Sequence, residues 1–473
     1  MEKAKLSNRI KWGYGIGQIA ASSPFNVFFI YFVFFLTVVA GVPPALAGTI
    51  SLIAILCDAI VTPFIGAASD NYVTEKGRRL PWMRATVIPI AVIFAVLFMP
   101  FPLATVGAQF AFYTVFALAL WVIYAGYLVP YFALVTEITS DYNERNILRG
   151  FNITIGYFIT MLATSGPMWI WGWAAGAGHS NEQAWGIIGA VFGALVLVGG
   201  FVSLAMLAGC EKESIKMAME KKKEKVKVNL FKMWGGCLSI RSFRKSVIWL
   251  FFYSLGYAIG TTVFVHVMTF NTQMTAAQQA VFWIPYGLFI MCTIPIYTYI
   301  ANKIGKKLTL MIFLGFGACL AVGLFFTGMT HIAHMYVYGL LVGSVIGCFF
   351  TFYVALAYDC VEINEYQTGN RDEGSMIGLS LFLMKIAQAI GMFVAGALLQ
   401  VFGFDGLVAE QTPEALRGLL IICLIIPSAF TGISLLVLST YKVNNKNFGA
   451  LVAALEKKRA GEEYSDEGFK EIL

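Results

Sequence analysis

Charge is what this chain has least of. Only 12% of its 473 residues are Asp, Glu, Lys or Arg, against about 25% in an ordinary soluble domain. With 59% hydrophobic residues and a mean hydropathy of +0.75, that scarcity excludes a soluble globular protein. The constellations of catalysis are missing as well: there is no HExxH pair, no Walker loop and no Cys/His cluster at metal spacing. No enzymatic activity, metal or cofactor is therefore expected. "GYGIG", Gly13 to Gly17, has the look of a nucleotide fingerprint, but no strand precedes it, and small residues where a helix enters the bundle are the sounder account.

What is present instead is apolar length. A bilayer core needs roughly 20 apolar residues per helical span, and twelve such segments can be placed near 17–39, 46–68, 84–103, 107–134, 152–174, 185–208, 245–268, 281–301, 308–328, 333–358, 376–402 and 417–439. This predicts an all-α, multi-pass membrane protein in contact with lipid. Of its 33 Lys and Arg, 31 fall in the two termini and in every second connection, and the alternate connections, 40–45, 104–106, 175–184, 269–280, 329–332 and 403–416, hold none. The positive-inside rule then places both termini in the cytoplasm. The net charge of +7 reflects this topology, and no nucleic-acid partner is expected. The two remaining basic residues are Arg417, at the outer end of the last span, and Lys385, inside the eleventh. The charged start, "MEKAKLSNRIKWGYGIGQ", does not read as a cleavable signal, so the first span is expected to remain as an anchor.

No cysteine lies in an outer connection, which excludes a disulfide framework: Cys57, Cys292, Cys319, Cys348 and Cys423 fall in spans, Cys360 at the inner end of one, and Cys210 and Cys237 at the ends of the longest loop. That loop, 209–244 with "EKKKEKVKV", divides the spans six and six. The expected organisation is an N-terminal six-helix bundle (1–208), a basic cytoplasmic linker (209–244), a C-terminal six-helix bundle (245–440) and a cytoplasmic tail (441–473). Such halves place a substrate site between them near the midplane. Internal echoes support the division. "GAASDNYVTEKGRRLPW" after span two is matched by "IANKIGKKLTL" after span eight, and "VTEITSDYNERNILRG" after span four by "YDCVEINEYQTGNRDEG" after span ten, as a parallel repeat requires.

Several blocks carry a family resemblance: "KWGYGIGQ", "LCDAIVTPFIGAASD" followed by "GRRLPW", "VPYFALVTEITSDYNER" and "YDCVEINEYQTGNRDEG". Together they resemble the signature blocks of the glycoside–pentoside–hexuronide cation symporters, the melibiose-permease group of the major facilitator superfamily. The resemblance spans nearly the whole chain. It implies the major facilitator fold of two pseudo-symmetric six-helix bundles, alternating access by rocking of the halves, coupling to Na⁺, Li⁺ or H⁺, a bacterial inner membrane and a monomer.

At the centre the chain departs from that family. The permease's cation site uses two acids four residues apart, an amide between them and a threonine; the first acid matches Asp58, the second falls at Thr62, the amide at Val61 and the threonine at Ala125. One carboxylate and the Thr62 hydroxyl supply too few oxygens for sodium, whereas a proton needs only the carboxylate, so H⁺ is favoured over Na⁺. The sugar site has changed as well. Its two acids match Ser22 and Leu128, its arginine Asn152 and its stacking tryptophan Phe132, so the carboxylate–guanidinium grip on sugar hydroxyls is gone. The central lysine survives as Lys385.

A carboxylate at mid-bilayer costs about 2.5–3.5 kcal/mol even on lenient scales, so Asp58 must face a cavity or a partner. It reads either as a protonation or cation site or as half of an ion pair with Lys385, and both readings hold together if the pair opens when the acid is protonated. Lys385 reads as that partner or as a contact for an anionic substrate group. His266, near the outer end of span seven, reads as a packing residue or a titrating one. Tyr31, Phe132 and Tyr157 lie on helices lining the family's pathway. Asp70, Arg78, Arg79, Glu137, Asp141, Arg145, Asp359, Glu362, Glu365, Arg371 and Glu373 cluster at inner helix ends, where the family implies a cytoplasmic gate.

The function expected from these residues is import of a small organic solute, a glycoside, sugar acid or related compound, by secondary active transport coupled to H⁺. The alternatives are uniport, or symport of a non-sugar organic anion or hydrophobic metabolite. A transporter-like receptor without turnover is the alternative of another class.

Overall fold

A computed structural model describes residues 6–72, 74, 77–139, 141–211 and 230–473; residues 212–229 of the expected linker lie outside this set. Among the described residues, twelve helices are long and apolar enough to cross a membrane: α1 Asn8–Val39, α2 Pro44–Asn71, α3 Leu80–Leu97, α4 Val106–Ile138, α5 Asn143–Gly176, α6 Asn181–Met206, α7 Arg241–Asn271, α8 Ala276–Ile304, α9 Lys306–Phe325, α10 Ile332–Thr368, α11 Glu373–Val401 and α12 Pro413–Ser439. A shorter helix, α13 Asn445–Ala460, follows in the tail. In hydrocarbon every backbone N–H and C=O must be satisfied within the segment, which leaves the helix as the form these apolar runs can take.

Several helices outrun their apolar stretch at the end carrying the basic connections. α10 continues ten residues past the expected 358 and α5 starts nine before the expected 152, because Asp141 caps α5 by accepting from the Asn143 and Glu144 amides and polar residues propagate a helix in water as well as in lipid. α3 is displaced toward this basic end, Leu80–Leu97 rather than 84–103, since Pro81 sits in its first turn, where a missing N–H costs nothing.

The two halves repeat one another in detail. α1 and α7 both finish in a π-helical turn, at Phe35–Val39 and Val267–Asn271. In each, a threonine, Thr37 or Thr269, donates to the carbonyl four residues back, Val33 or Val265, at 2.9 Å. In each, the chain then leaves through a left-handed residue, Gly41 (φ 68°) or Gln273 (φ 50°).

The halves meet chiefly through α2 with α11, α5 with α8 and α1 with α7. Small residues permit the first of these contacts: a Cβ on Gly396 would stand 2.4 Å from the Pro44 carbonyl, and one on Gly48 2.9 Å from the Phe393 carbonyl. These close approaches, together with Gly172 beside Ala277, the Ala45 amide on Gln400 and Thr37 on His266, lie toward the end opposite the basic connections. That end is sealed.

Candidate functional site

At the inner limit of the seal, α2 and α11 bring together the two charges that hydropathy left unexplained. Lys385 Nζ donates to Asp58 Oδ2 at 2.6 Å and to Thr62 Oγ1 at 3.2 Å. Thr62, one turn beyond Asp58, lies 3.1 Å from Asp58 Oδ1 and 2.7 Å from the Asp58 carbonyl, to which it donates. The Asp58 side chain is 2% exposed and that of Lys385 20%, so the lysine is the more accessible member of the pair. Its chemistry is simple: one carboxylate, one ammonium, and a hydroxyl that bridges them. Each charge makes the other tolerable in the bilayer.

The residues expected to line the centre in the first half form a second network. Ser22 donates to Gln18 Oε1 (2.9 Å), Gln18 Nε2 to Asn152 Oδ1 (2.7 Å), Asn152 Nδ2 to the Tyr131 hydroxyl (2.6 Å), and Tyr131 to the Tyr14 carbonyl (2.5 Å). Asn152 is buried; its amide is committed to α1 and α4 and does not stand free in the pathway. Beside it, Tyr127 and Tyr124 donate to the carbonyls of Gly17 and Ala21, so three hydroxyls spaced one turn apart on α4 bind the glycine-rich entry of α1. Leu128 packs against the hydrophobic core, and Phe132 is half-exposed, its ring 5.5 Å from that of Tyr131. Tyr157 is partly buried. Tyr31, on a helix that lines the family's pathway, is fully buried, its hydroxyl bound to the Thr164 carbonyl. It is a packing residue.

The charges at the basic end form one cluster per half. In the first, Arg78 reaches Glu137 (3.0 Å) and Asp70 (3.3 Å), and Arg79 binds Asp70 and approaches Glu137 at 3.6 Å, while Arg145 Nε donates to the Thr139 carbonyl at 2.8 Å. In the second, Lys306 pairs with Asp359 (2.6 Å), and Arg371 lies 3.2 Å from Glu362, 3.7 Å from Glu365 and 3.7 Å from Glu373. Each of these pairs stays within its own half.

Three members of these clusters escape a reading of the sequence. Glu211 is buried and accepts from three successive amides, Arg78 (3.1 Å), Arg79 (2.7 Å) and Leu80 (3.2 Å); a carboxylate there caps α3 and complements its dipole. It also lies so close to Gly77, at φ 130°, that a Cβ on that glycine would stand 2.1 Å from Glu211 Oε2. In the tail, Arg459 grips Glu365 through Nε (2.8 Å) and Nη2 (2.7 Å). Lys306 is the third. The signal the sequence carries is Glu211 itself, an acid opening a loop of net positive charge.

Residues 13–445 match the model of the family described as "MFS/sugar transport protein". The chain belongs to that family. Among the similar proteins are the isoprimeverose transporter of Lactiplantibacillus pentosus, 26% identical over 96% of this chain and 93% of that protein, and the glucuronide carrier protein homolog of Escherichia coli K12, 24% identical over 96% of this chain and 97% of that one. Among solved structures, the nucleoside transporter NupG superposes with a TM-score of 0.62 at 15% identity, covering 94% of this chain and 99% of that one. A bacterial homolog of the human lysosomal transporter Spinster superposes with a TM-score of 0.64 at 12% identity, covering 92% and 98%. These structures share the fold: two six-helix bundles of the major facilitator type. The protein is a multi-pass integral membrane protein of a family of transporters, which are not enzymes, and it acts on a small-molecule substrate.

Proposed function

We propose that this transporter imports a glycoside or sugar acid together with a proton, and that Asp58 carries the proton. The observation that carries the reading is the 2.6 Å contact between Asp58 on α2 and Lys385 on α11, an ion pair that joins the two halves in the conformation sealed at the end opposite the basic connections. With both termini in the cytoplasm, the sealed end faces outward. Opening it draws α11 from α2 and removes the ammonium from Asp58. A carboxylate left alone in a low-dielectric surround is strongly disfavoured, and protonation relieves it; return of Lys385 expels the proton inward. Release of the solute and of the proton are thereby tied to one conformation.

The one carboxylate and one hydroxyl at this place support H⁺ over Na⁺, since neither Val61 nor Ala125 offers a side-chain oxygen. The substrate class rests on the relatives named for isoprimeverose and for glucuronides. A path between the two halves of one chain would require no second copy.

The test is reconstitution in proteoliposomes with a panel of neutral glycosides and hexuronates. A transported solute is expected to move protons with it, independently of Na⁺. Asp58→Asn is expected to retain counterflow while losing proton movement and accumulation. Uptake that Na⁺ stimulates without proton movement overturns the coupling; binding without counterflow for every ligand overturns transport.

A further inference from the structure

His266 is completely buried in the contact that seals the outer end. Its Nε2 lies 3.0 Å from Thr37 Oγ1 of the opposite half, and its ring meets Phe34 edge-on at 5.0 Å and Phe404 at 5.2 Å. By the repeat that aligns Thr37 with Thr269, His266 occupies in the second half the place that Phe34 occupies in the first. Packing there is thus satisfied by a phenyl ring, and the imidazole adds something that packing does not require.

What it adds is a titratable group that only the seal hides. The elements around it present no charge to it. Thr37 and Phe34 come from α1, whose Tyr31 commits its hydroxyl to the Thr164 carbonyl. Phe404 follows α11, and the charged residues of that connection and of the start of α12, Asp405, Glu410, Glu414 and Arg417, are all exposed. His179, at the end of α5, is exposed too. Asp58 and Lys385 neutralise one another at the inner limit of the seal. An imidazolium enclosed here meets no counter-charge among the described residues, an arrangement that opposes burial of the charged form.

We propose that His266 is a proton-sensitive latch of the outer gate: neutral, it is buried and the gate closes; protonated from the outer medium, it holds the gate open. The inference rests on the alternating-access reading above but not on Asp58 as the coupling site. The open state of this proposal returns His266 to the outer medium, where an unperturbed imidazole changes its charge near about pH 6.5. Closure requires the neutral ring, so the sealed state is fully available above that pH and is lost as pH falls below it. The proton on His266 by itself changes the open-to-sealed ratio by at most about tenfold per pH unit.

The test is double electron–electron resonance on the full-length protein in nanodiscs, with the native cysteines replaced and spin labels at Val106 and Leu407, which are exposed at the outer end of opposite halves. Between pH 8 and pH 5 the long-distance population is expected to rise with a midpoint at or below about 6.5. The comparison is made in a background carrying Asp58→Asn with Lys385→Met, which removes the proton site of the coupling reading together with its counter-charge. That background alone is expected to keep a rise, and adding His266→Gln, or equally His266→Leu, is expected to abolish it while the label distances at pH 8 stay as in the background. A parent population indifferent to pH, or a rise that survives both His266 substitutions in that background, overturns the latch. So does a rise that is already absent from the background, which assigns the pH response to Asp58 and leaves the coupling proposal standing.

Discussion

Asp58 and Lys385, 327 residues apart in sequence, form the ion pair that joins the two halves of this transporter at the inner limit of their seal. Both charges are affordable in the bilayer because each is the other's counter-ion, and that dependence makes the pair testable.

Truncating one partner is far costlier than neutralising both. Lys385→Ala leaves Asp58 buried without a counter-charge, a change that typically costs about 3–5 kcal/mol. Asp58→Asn combined with Lys385→Met removes both charges at nearly constant volume and is expected to recover most of that loss. Thermal unfolding of the single and double variants, read as a double-mutant cycle, checks this; additive losses refute the coupling.

The seal depends on two glycines. A valine at Gly396 drives its Cβ into the Pro44 carbonyl and the Gly48 backbone, atoms that cannot move without separating α2 from α11. Gly396→Val is therefore expected to hold the outer end open while leaving the fold of each half intact. Alkylation of a cysteine placed at Phe393 reports it: labelling from the side of the alternate connections should rise strongly over the parent.

Glu211 ties the loop between the halves to the turn that carries Arg78 and Arg79. Glu211→Ala strands three amides, those of Arg79 and Leu80 buried, and is expected to lower stability by about 1–3 kcal/mol. Glu211→Gln, which keeps an acceptor but loses the charge at the helix N-terminus, is expected to cost less. Thermal denaturation ranks the two. Equal effects would show that bulk in the turn, and not the carboxylate, is what matters.

Tyr131 serves two helices at once, accepting from Asn152 and donating to Tyr14, whereas the Tyr127 hydroxyl serves the Gly17 carbonyl. Tyr131→Phe is expected to destabilise by about 1–3 kcal/mol and to free the Asn152 amide toward Ser22 and the pathway; Tyr127→Phe is expected to cost less. The comparison reads stability and substrate affinity together. A changed affinity for Tyr131→Phe with none for Tyr127→Phe supports a link between the Asn152 network and the substrate.

Much of the architecture was legible beforehand because hydropathy is additive along the chain. Twelve apolar runs and the alternation of basic connections require no knowledge of which helix touches which, and a lone acid or lysine inside a run stands out for the same reason. Pairing is not additive in that way. Asn152 aligns with a substrate-binding arginine, yet its amide turns to Gln18 and Tyr131, because the face of α5 that carries it packs on α1 and α4. Tyr31 lies on a pathway helix and faces away from the pathway. At the basic end, where the resemblance implies a cytoplasmic gate, the described ion pairs of Arg78, Arg79, Lys306 and Arg371 join residues of the same half, as the halves approach one another at the opposite end.

The sequence by itself determined that the chain crosses a membrane twelve times, which ends of its helices carry the basic connections, and that two charges inside the bilayer require an explanation. Those are properties of composition and period, decided by the cost of moving each residue out of water. Only the tertiary structure decided that Asp58 meets Lys385, that Glu211 caps α3, and that His266 is shut away between Phe34, Thr37 and Phe404. These contacts join residues from 131 to 327 positions apart, and the one between Asp58 and Lys385 is possible because small residues on α2 and α11 let two backbones approach where larger ones would hold them apart.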